Sequence, residues 1–155
     1  MSEADLPYLL EVFRSNPQYL EWAEGGRYDL ETLRMDWSSA RSAEGRYMLA
    51  LRDPETGAPI GVIEYLTVNP NDGHPWIGLI LVAADRQREG LGSEAMNAVL
   101  DHITLNWASP VRLGVIDENV AGLGLAISLG FERYDEVHQD LGGGEQRLVL
   151  LQRRL

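Results

Sequence analysis

The amino-acid sequence predicts an α/β protein in which one mixed, mainly antiparallel sheet carries helices on both faces, within a single domain over residues 1–155. Three observations predict it. Periodic segments come in the order helices, hairpin, strand, helix, strand, helix, hairpin, and a strand, helix and strand in succession call for one parallel crossover in the middle. The run Trp76–Val82 is apolar on both faces, which suits a central strand covered from each side. Between that run and a long amphipathic helix stands a loop with two glycines, Gln87-Arg88-Glu89-Gly90-Leu91-Gly92.

The elements follow in order. Leu6, Leu9, Leu10 and Phe13 have helical spacing, with Asp5 as N-cap and Asn16-Pro17 as a stop, so Leu6–Arg14 is a helix. Residues 18–23 form a short second helix ended by Gly25-Gly26, and 29–41 a third with Leu30, Leu33 and Trp37 inward. The aromatics Tyr19, Trp22, Tyr28 and Trp37 are expected in the core of this region rather than as a ligand platform, with room for one or two to do both. Arg46–Arg52 and 59–68 are strand-like and joined by the turn cluster Asp53-Pro54-Glu55-Thr56-Gly57, which predicts an antiparallel hairpin. A second turn-rich loop, 69–75, leads into Trp76–Val82.

After the glycine loop, Leu91, Ala95, Val99, Ile103 and Trp107 recur every four residues, the stripe of one helix that Ser109-Pro110 ends. Val111–Ile116 is a strand, 119–129 a glycine-weakened helix, and 131–139 with 146–151 a hairpin around Gly142-Gly143-Gly144. The tail 152–155 is expected to be solvated.

Composition narrows the chemistry. A chain of 155 residues can bury a real core, and 45% hydrophobic with 24% charged residues is ordinary for a globular protein. It is expected to fold alone or as a small oligomer such as a homodimer. There is no apolar run of membrane-spanning length and no signal-peptide pattern at Met1-Ser2-Glu3-Ala4-Asp5, so the expected location is cytoplasmic, with no membrane partner. Cysteine is absent, which excludes disulfides and thiolate chemistry. All thirteen basic residues are Arg, which excludes Schiff-base chemistry and a Walker-type phosphate loop. His74, His102 and His138 have no metal-ligand spacing, so no metal is expected. A net charge of -11 disfavours nucleic acid and suits a cationic partner.

The loop is where a ligand can be named. Two glycines let backbone approach a ligand closely, and the unpaired N–H groups of a helix's first turn favour phosphate. Arg86 and Arg88 add positive charge. The spacing of Gln87, Gly90 and Gly92, after a strand and before a helix, resembles the acyl-coenzyme A pyrophosphate loop of the GNAT superfamily of N-acetyltransferases. A second stretch, Asn119 to Gly130-Phe131 with Leu129 before the glycine, resembles the later helix of that family. The resemblance implies the GNAT sheet, in which two adjacent strands splay apart to admit acetyl-CoA. It also implies that Gln87, Arg88, Glu89, Gly90, Leu91, Gly92 and Ser93 hold the pyrophosphate, that the backbone of Ile80, Leu81 and Val82 meets the rest of the cofactor, and that Asn119 hydrogen-bonds it. The family places a strand before its first helix; only four residues precede Asp5 here, so that strand is missing, truncated or supplied otherwise.

Acetyl transfer from a thioester to an amine needs a group to take the amine proton. A partly buried carboxylate does this well. Glu64 is the only charged residue in 60–68 and shares a strand face with Val62 and Leu66, so it is the first candidate for general base; a structural hydrogen-bonded carboxylate is the alternative. Asp117 is the second candidate, with Glu118 beside it, although both stand where they would cap the next helix. Many relatives place a Tyr seven residues after the Asn as acid for the leaving thiol. That position is Ala126, and Gly122 replaces a usual Ala. A thiol titrating at about 8.5 leaves without much help, and Tyr134 or Tyr65 is the candidate to substitute.

The reading is therefore an acetyl-CoA-dependent N-acetyltransferase acting on a small-molecule amine or a protein N-terminus by direct transfer. Its rival is a GNAT-like binding module that has lost catalysis, favoured by Ala126. A nicotinamide oxidoreductase, whose fingerprint Gly90-x-Gly92-x-x-Ala95 approaches, is disfavoured. Seven residues separate Val82 from Gly90, and a hairpin precedes the strand.

Overall fold

The computed structural model describes residues 1–106 and 110–154. In chain order it contains α1 (Leu6–Arg14), α2 (Pro17–Glu24), α3 (Leu30–Ser42), β1 (Arg46–Arg52), β2 (Pro59–Leu66), β3 (Trp76–Val82), α4 (Leu91–Asn106), β4 (Val111–Ile116), α5 (Val120–Ser128), β5 (Glu132–Asp140) and β6 (Glu145–Arg153). Short 3-10 turns at Glu3–Asp5 and Ala84–Arg86 precede α1 and the glycine loop. No described helix is long and apolar enough to cross a membrane.

The six strands form one sheet in the order β1-β2-β3-β4-β6-β5, antiparallel throughout except between β3 and β4. This is the mixed sheet with a central crossover that the element order predicts. Side chains alternate between the faces of a strand, and β2 shows both faces covered. Val62, fully buried, joins Leu6, Leu9 and Leu33 under α1 and α3, while Ile63 beside it joins Met96, Ile103 and Leu151 under α4. Each such aliphatic side chain contributes about 1.5–3 kcal/mol on burial, which is why the stripes read in sequence became these helices.

Two irregularities in the sheet shape the site. β3 and β4 pair only at Trp76↔Arg112 and Ile77↔Leu113, and beyond that they part. Against β2, the pairing steps from Glu64↔Leu79 to Tyr65↔Ile77, so Gly78 is the extra residue of a bulge. Bulges re-aim side chains and recur next to active sites.

Some expectations need correcting. Asp5 does not cap α1 with its side chain; its carboxylate accepts the Ser2 N–H at 2.7 Å and pairs with Arg52 at 2.8 Å, tying the chain's start to the end of β1. Strand β2 ends at Leu66, short of the expected residue 68, where its partner β1 begins; Thr67 N–H to Gly45 O at 2.8 Å is the last bond between them. The tail is not wholly solvated: Gln152 and Arg153 continue β6 opposite Arg112 and Val111 and are half-buried. Among the described residues no strand precedes α1, so β1 is the outer strand on that side. Trp107 and Ser109, expected on and after the α4 stripe, and Leu155 of the tail lie outside the described residues.

Candidate active site

The loop ahead of α4 is built from unusual backbone. Gly90 has φ 80°, and Arg88, with φ 66°, is the one non-glycine among the described residues with a left-handed conformation. A Cβ on Gly90 would meet nothing within 4 Å, so the backbone angle and not crowding asks for glycine there. The first helical hydrogen bond runs from Glu94 N–H to Gly90 O at 3.0 Å. The N–H groups of Leu91, Gly92 and Ser93 therefore precede any i−4 partner and carry the positive end of a 16-residue helix.

The charges around the loop are not as the sequence reading assumed. Arg86 does not face a ligand: its guanidinium bridges Asp53, on the β1–β2 turn, and Glu89 at 2.9 Å. Those bonds, with the N–H groups of Glu55 and Thr56 behind them, hold the Asp53 carboxyl below its usual range. Exposed Arg88 is left as the cation of the loop. Gln87 is also turned inward, its Nε2 donating to Val82 O at 2.9 Å and to Asn16 Oδ1 at 2.7 Å.

The split between β3 and β4 opens beside this loop. Ala83 N–H donates to Ile60 O of the β2 side at 2.9 Å, and backbone groups alternate sides along a strand. Ile80 and Val82 thus aim their N–H and C=O groups into the split, whereas those of Leu81 are turned toward β2. Of the three residues expected to meet the cofactor, two present backbone groups there.

On the α1–α3 face of the sheet lies a cavity of about 210 Å³ lined by Phe13, Tyr19, Tyr28, Glu24, Asp36 and Glu64, with Arg46 and Gly78 at its edge. The Glu64 side chain is 15% exposed, and its Oε2 accepts from Arg46 at 2.9 Å. Its Oε1 faces the bulge, where a Cβ on Gly78 would stand 3.2 Å away. Tyr28 donates its hydroxyl to Asp36 at 2.6 Å. Burial, reinforced by Asp36, pushes the Glu24 carboxyl up, and burial followed by the charges of Glu24, Glu64 and Asp36 pushes the Tyr19 phenol up. A larger hollow, about 420 Å³, borders β1 between Ala40 and Leu49 and contains none of the residues singled out from the sequence.

The remaining candidates are spread out. Asp117 is 3.6 Å from Arg147, and Glu118 accepts from Trp22 Nε1 at 3.4 Å. Neither caps α5; Asn119 does, accepting Gly122 N–H at 2.9 Å. Tyr134 lies on β5, separated from Glu64 by β3, β4 and β6, with the Arg112 guanidinium 4.8 Å above its ring. Tyr65 points to the opposite sheet face from Glu64, buried and stacked on Tyr47 at 5.1 Å. Ala126 is buried in the apolar cluster under α4. Sequence reasoning missed Glu24, Asp36, Arg46 and Asn16. For Arg46 a signal existed: in the β1–β2 hairpin it is the same-face diagonal neighbour of Glu64. No local pattern marks the other three.

A sheet that splits between two parallel strands, with a helix N-terminus and glycine loop beside the split, is the architecture of an acyl-coenzyme A-dependent transferase. The chain belongs to the GNAT acetyltransferases, for the family described as "Acetyltransferase (GNAT) domain" matches residues 1–132. Among solved structures, an acetyltransferase from Thermus thermophilus is similar over 100% of this chain and 94% of its own, with TM-score 0.80 and 22% identity. A ribosomal-protein-alanine N-acetyltransferase from Brucella melitensis covers 100% and 97%, with TM-score 0.78 and 23% identity. Spermidine N-acetyltransferase from Vibrio cholerae, solved with CoA and spermine, covers 99% and 91%, with TM-score 0.77 and 19% identity. At such identities the likeness is one of fold. No curated protein matches the sequence.

Proposed function

We propose that this acetyltransferase moves an acetyl group from acetyl-CoA directly to a primary amine, with Glu64 as general base. The observation that carries the reading is the bulge at Gly78, which sets Glu64 Oε1 against a residue without a side chain, in a cavity whose wall includes Gly78 and Leu79 of β3, the strand that parts from β4. The residues present fit acetyl-CoA. The N–H groups of Leu91, Gly92 and Ser93 with the Arg88 cation would hold its pyrophosphate, the backbone of Ile80 and the N–H of Val82 are free to meet the pantetheine, and α5, which Asn119 starts, approaches the loop at Leu125, 3.5 Å from where a Gly92 Cβ would be. When bound, it supplies an activated thioester. Glu64 takes one proton from the acceptor's ammonium group, which leaves the nitrogen lone pair to attack, while Arg46 fixes the carboxylate through Oε2.

Glu64 is preferred to Asp117, whose carboxylate is turned to Arg147, and Tyr134 is too far across the sheet to serve the same nitrogen. No side chain need protonate the leaving sulfur, because a thiol titrates near about 8.5. The carboxylates of Glu24, Asp36 and Glu64 against one Arg46 favour a cationic acceptor, and the acceptors named for relatives, spermidine and a ribosomal-protein alanine, are both amines.

Turnover is read as thiol released from acetyl-CoA on adding amines of different classes. Glu64→Gln is expected to lower kcat by about 10²- to 10⁴-fold and to leave the affinity for coenzyme A unchanged. Near-parental turnover by that variant would rule Glu64 out. A parent that binds coenzyme A but releases no thiol with any amine would favour the second reading, a binding module, which the buried Ala126 in place of an acid supports.

A further inference from the structure

We propose that Asn16 is a positioning residue for the cofactor, acting through Gln87 and the Val82 carbonyl; this rests on the reading that the loop before α4 holds the pyrophosphate. Asn16 occupies the joint between α1 and α2, ahead of Pro17. Its Nδ2 donates to Val82 O at 3.0 Å and to Val12 O at 2.9 Å, while its Oδ1 accepts from Gln87 Nε2 at 2.7 Å. Gln87 Nε2 reaches the same Val82 O at 2.9 Å. Next to it, Ser15 Oγ accepts Ala84 N–H at 3.1 Å and donates to Val12 O at 2.7 Å.

The geometry does more than end one helix and start another. Two amides converge on one carbonyl, and that carbonyl closes the strand whose alternate backbone groups face the split. The Gln87 side chain bends back over five residues to get there, which fixes the path of the chain into Arg88 and Gly90. Both lie in left-handed backbone, a conformation that persists only where the surroundings hold it. Asn16 is thus the anchor outside the loop that keeps the loop's N–H groups aimed before any ligand arrives. It sits between Phe13 and Tyr19, which line the cavity. One residue therefore fixes the joint of the acceptor-side wall and the entry to the cofactor loop.

The test is calorimetry with coenzyme A on the full chain. The Asn16 side chain makes no cap bond to α2, and at the α1–α2 joint its Nδ2 serves Val12 O, so a role confined to the joint would lower the unfolding temperature of Asn16→Asp and leave the affinity of the folded variant and its coupling to Gln87 unchanged. The carboxylate keeps an acceptor for Gln87 but sets an oxygen against Val82 O and Val12 O. Asn16→Asp is expected to weaken binding about tenfold and to raise KM for acetyl-CoA while kcat at saturation holds. Asn16→Ala and Gln87→Ala should each weaken it about fivefold, the worth of one hydrogen bond. Their combination should lose little more than either alone, since both serve one carbonyl. Should Asn16→Asp not fold, Asn16→Ser, which is too short for Val82 but puts no charge at the joint, must show the same loss and the same lack of additivity with Gln87→Ala. Parental affinity in Asn16→Asp, or losses that multiply, would overturn the proposal. Gly92→Asp is the control. If it too binds coenzyme A normally, the pyrophosphate reading itself falls; if it binds weakly while Asn16→Asp binds well, the positioning role alone falls.

Discussion

Arg88 combines two properties that single substitutions can separate. Its left-handed backbone costs about 1 kcal/mol relative to the right-handed region, and its exposed guanidinium is the cation left to the loop once Asp53 and Glu89 have taken Arg86. Arg88→Gly removes the backbone cost with the charge, whereas Arg88→Ala removes the charge alone. Both are expected to bind coenzyme A about fivefold to tenfold more weakly, with a gap that narrows in high salt. The glycine variant should unfold at a temperature no lower than the alanine variant. Calorimetry and thermal unfolding check this, and equal affinity of Arg88→Ala and the parent would remove Arg88 from the site. At this scale the sequence was legible where a residue's role is local: Asn119 caps its own helix, as an Asn there should. It was misleading where the partner is remote. Arg86 reads as a phosphate ligand until the β1–β2 turn brings Asp53 to it, and Asp117 reads as a cap until Arg147 arrives from β6.

Among the elements, α5 carries glycines that look alike in sequence and differ in surroundings. A Cβ on Gly122 would lie 2.6 Å from Asn119 Nδ2 and 3.1 Å from Val115, whereas one on Gly124 would meet nothing within 4 Å. Alanine is favoured over glycine inside a helix by about 1 kcal/mol. Gly124→Ala is therefore expected to stabilise the protein by about 0.5–1 kcal/mol. Gly122→Ala should destabilise it, because displacing the Asn119 cap costs about as much as the helix gains and the Val115 contact is added to that. Denaturant unfolding of the two variants tests the contrast, and equal effects would refute it. The limits of α1, β1, β3 and β4 were legible to the residue, since apolar period and Pro, Gly and Asn breakers are local signals. The bulge at Gly78 was not, because an extra residue exists only relative to a partner strand. Nor was the meeting of Glu24 and Asp36 with Glu64, which depends on how α2 and α3 lie on the sheet.

For the whole molecule, a net charge of -11 makes pH a strong variable. Arg86 and Arg147 hold Asp53 and Glu136 below the usual carboxylate range; at Asp5 and Asp72 burial pushes upward but is outweighed, by Arg52 and Ser2 in one case and by His74, Trp76 and Arg112 in the other. A lowered carboxyl contributes stability that is present above its unfolded value, about 4, and lost as pH falls through the folded one. Glu24 has the opposite sign, being raised by burial and by Asp36: its contribution is full in acid and is lost as pH rises through its folded value. The protein should lose stability below about pH 4, and Glu24→Gln should unfold at a higher temperature than the parent near pH 7, the difference shrinking toward about pH 4. Thermal unfolding across that range checks both, and no gain at neutral pH would mean that Glu24 is not strained by its neighbours. The mismatch between β3 and β4 bears on the same stability. Strands β1, β2 and β3 come from residues 46–82, and β4, β5 and β6 from 111–153, so the gap in the sheet is also a division of the chain into an earlier and a later half. Within the sheet only two residue pairs at one end join those halves, beside the Arg112–Asp72 pair and the apolar cluster under α4 that both halves share. A ligand lying in the gap supplies the missing rungs of the ladder, so amide protons on either side should exchange with solvent far more slowly when it is bound, and the two halves should then open as one cooperative body.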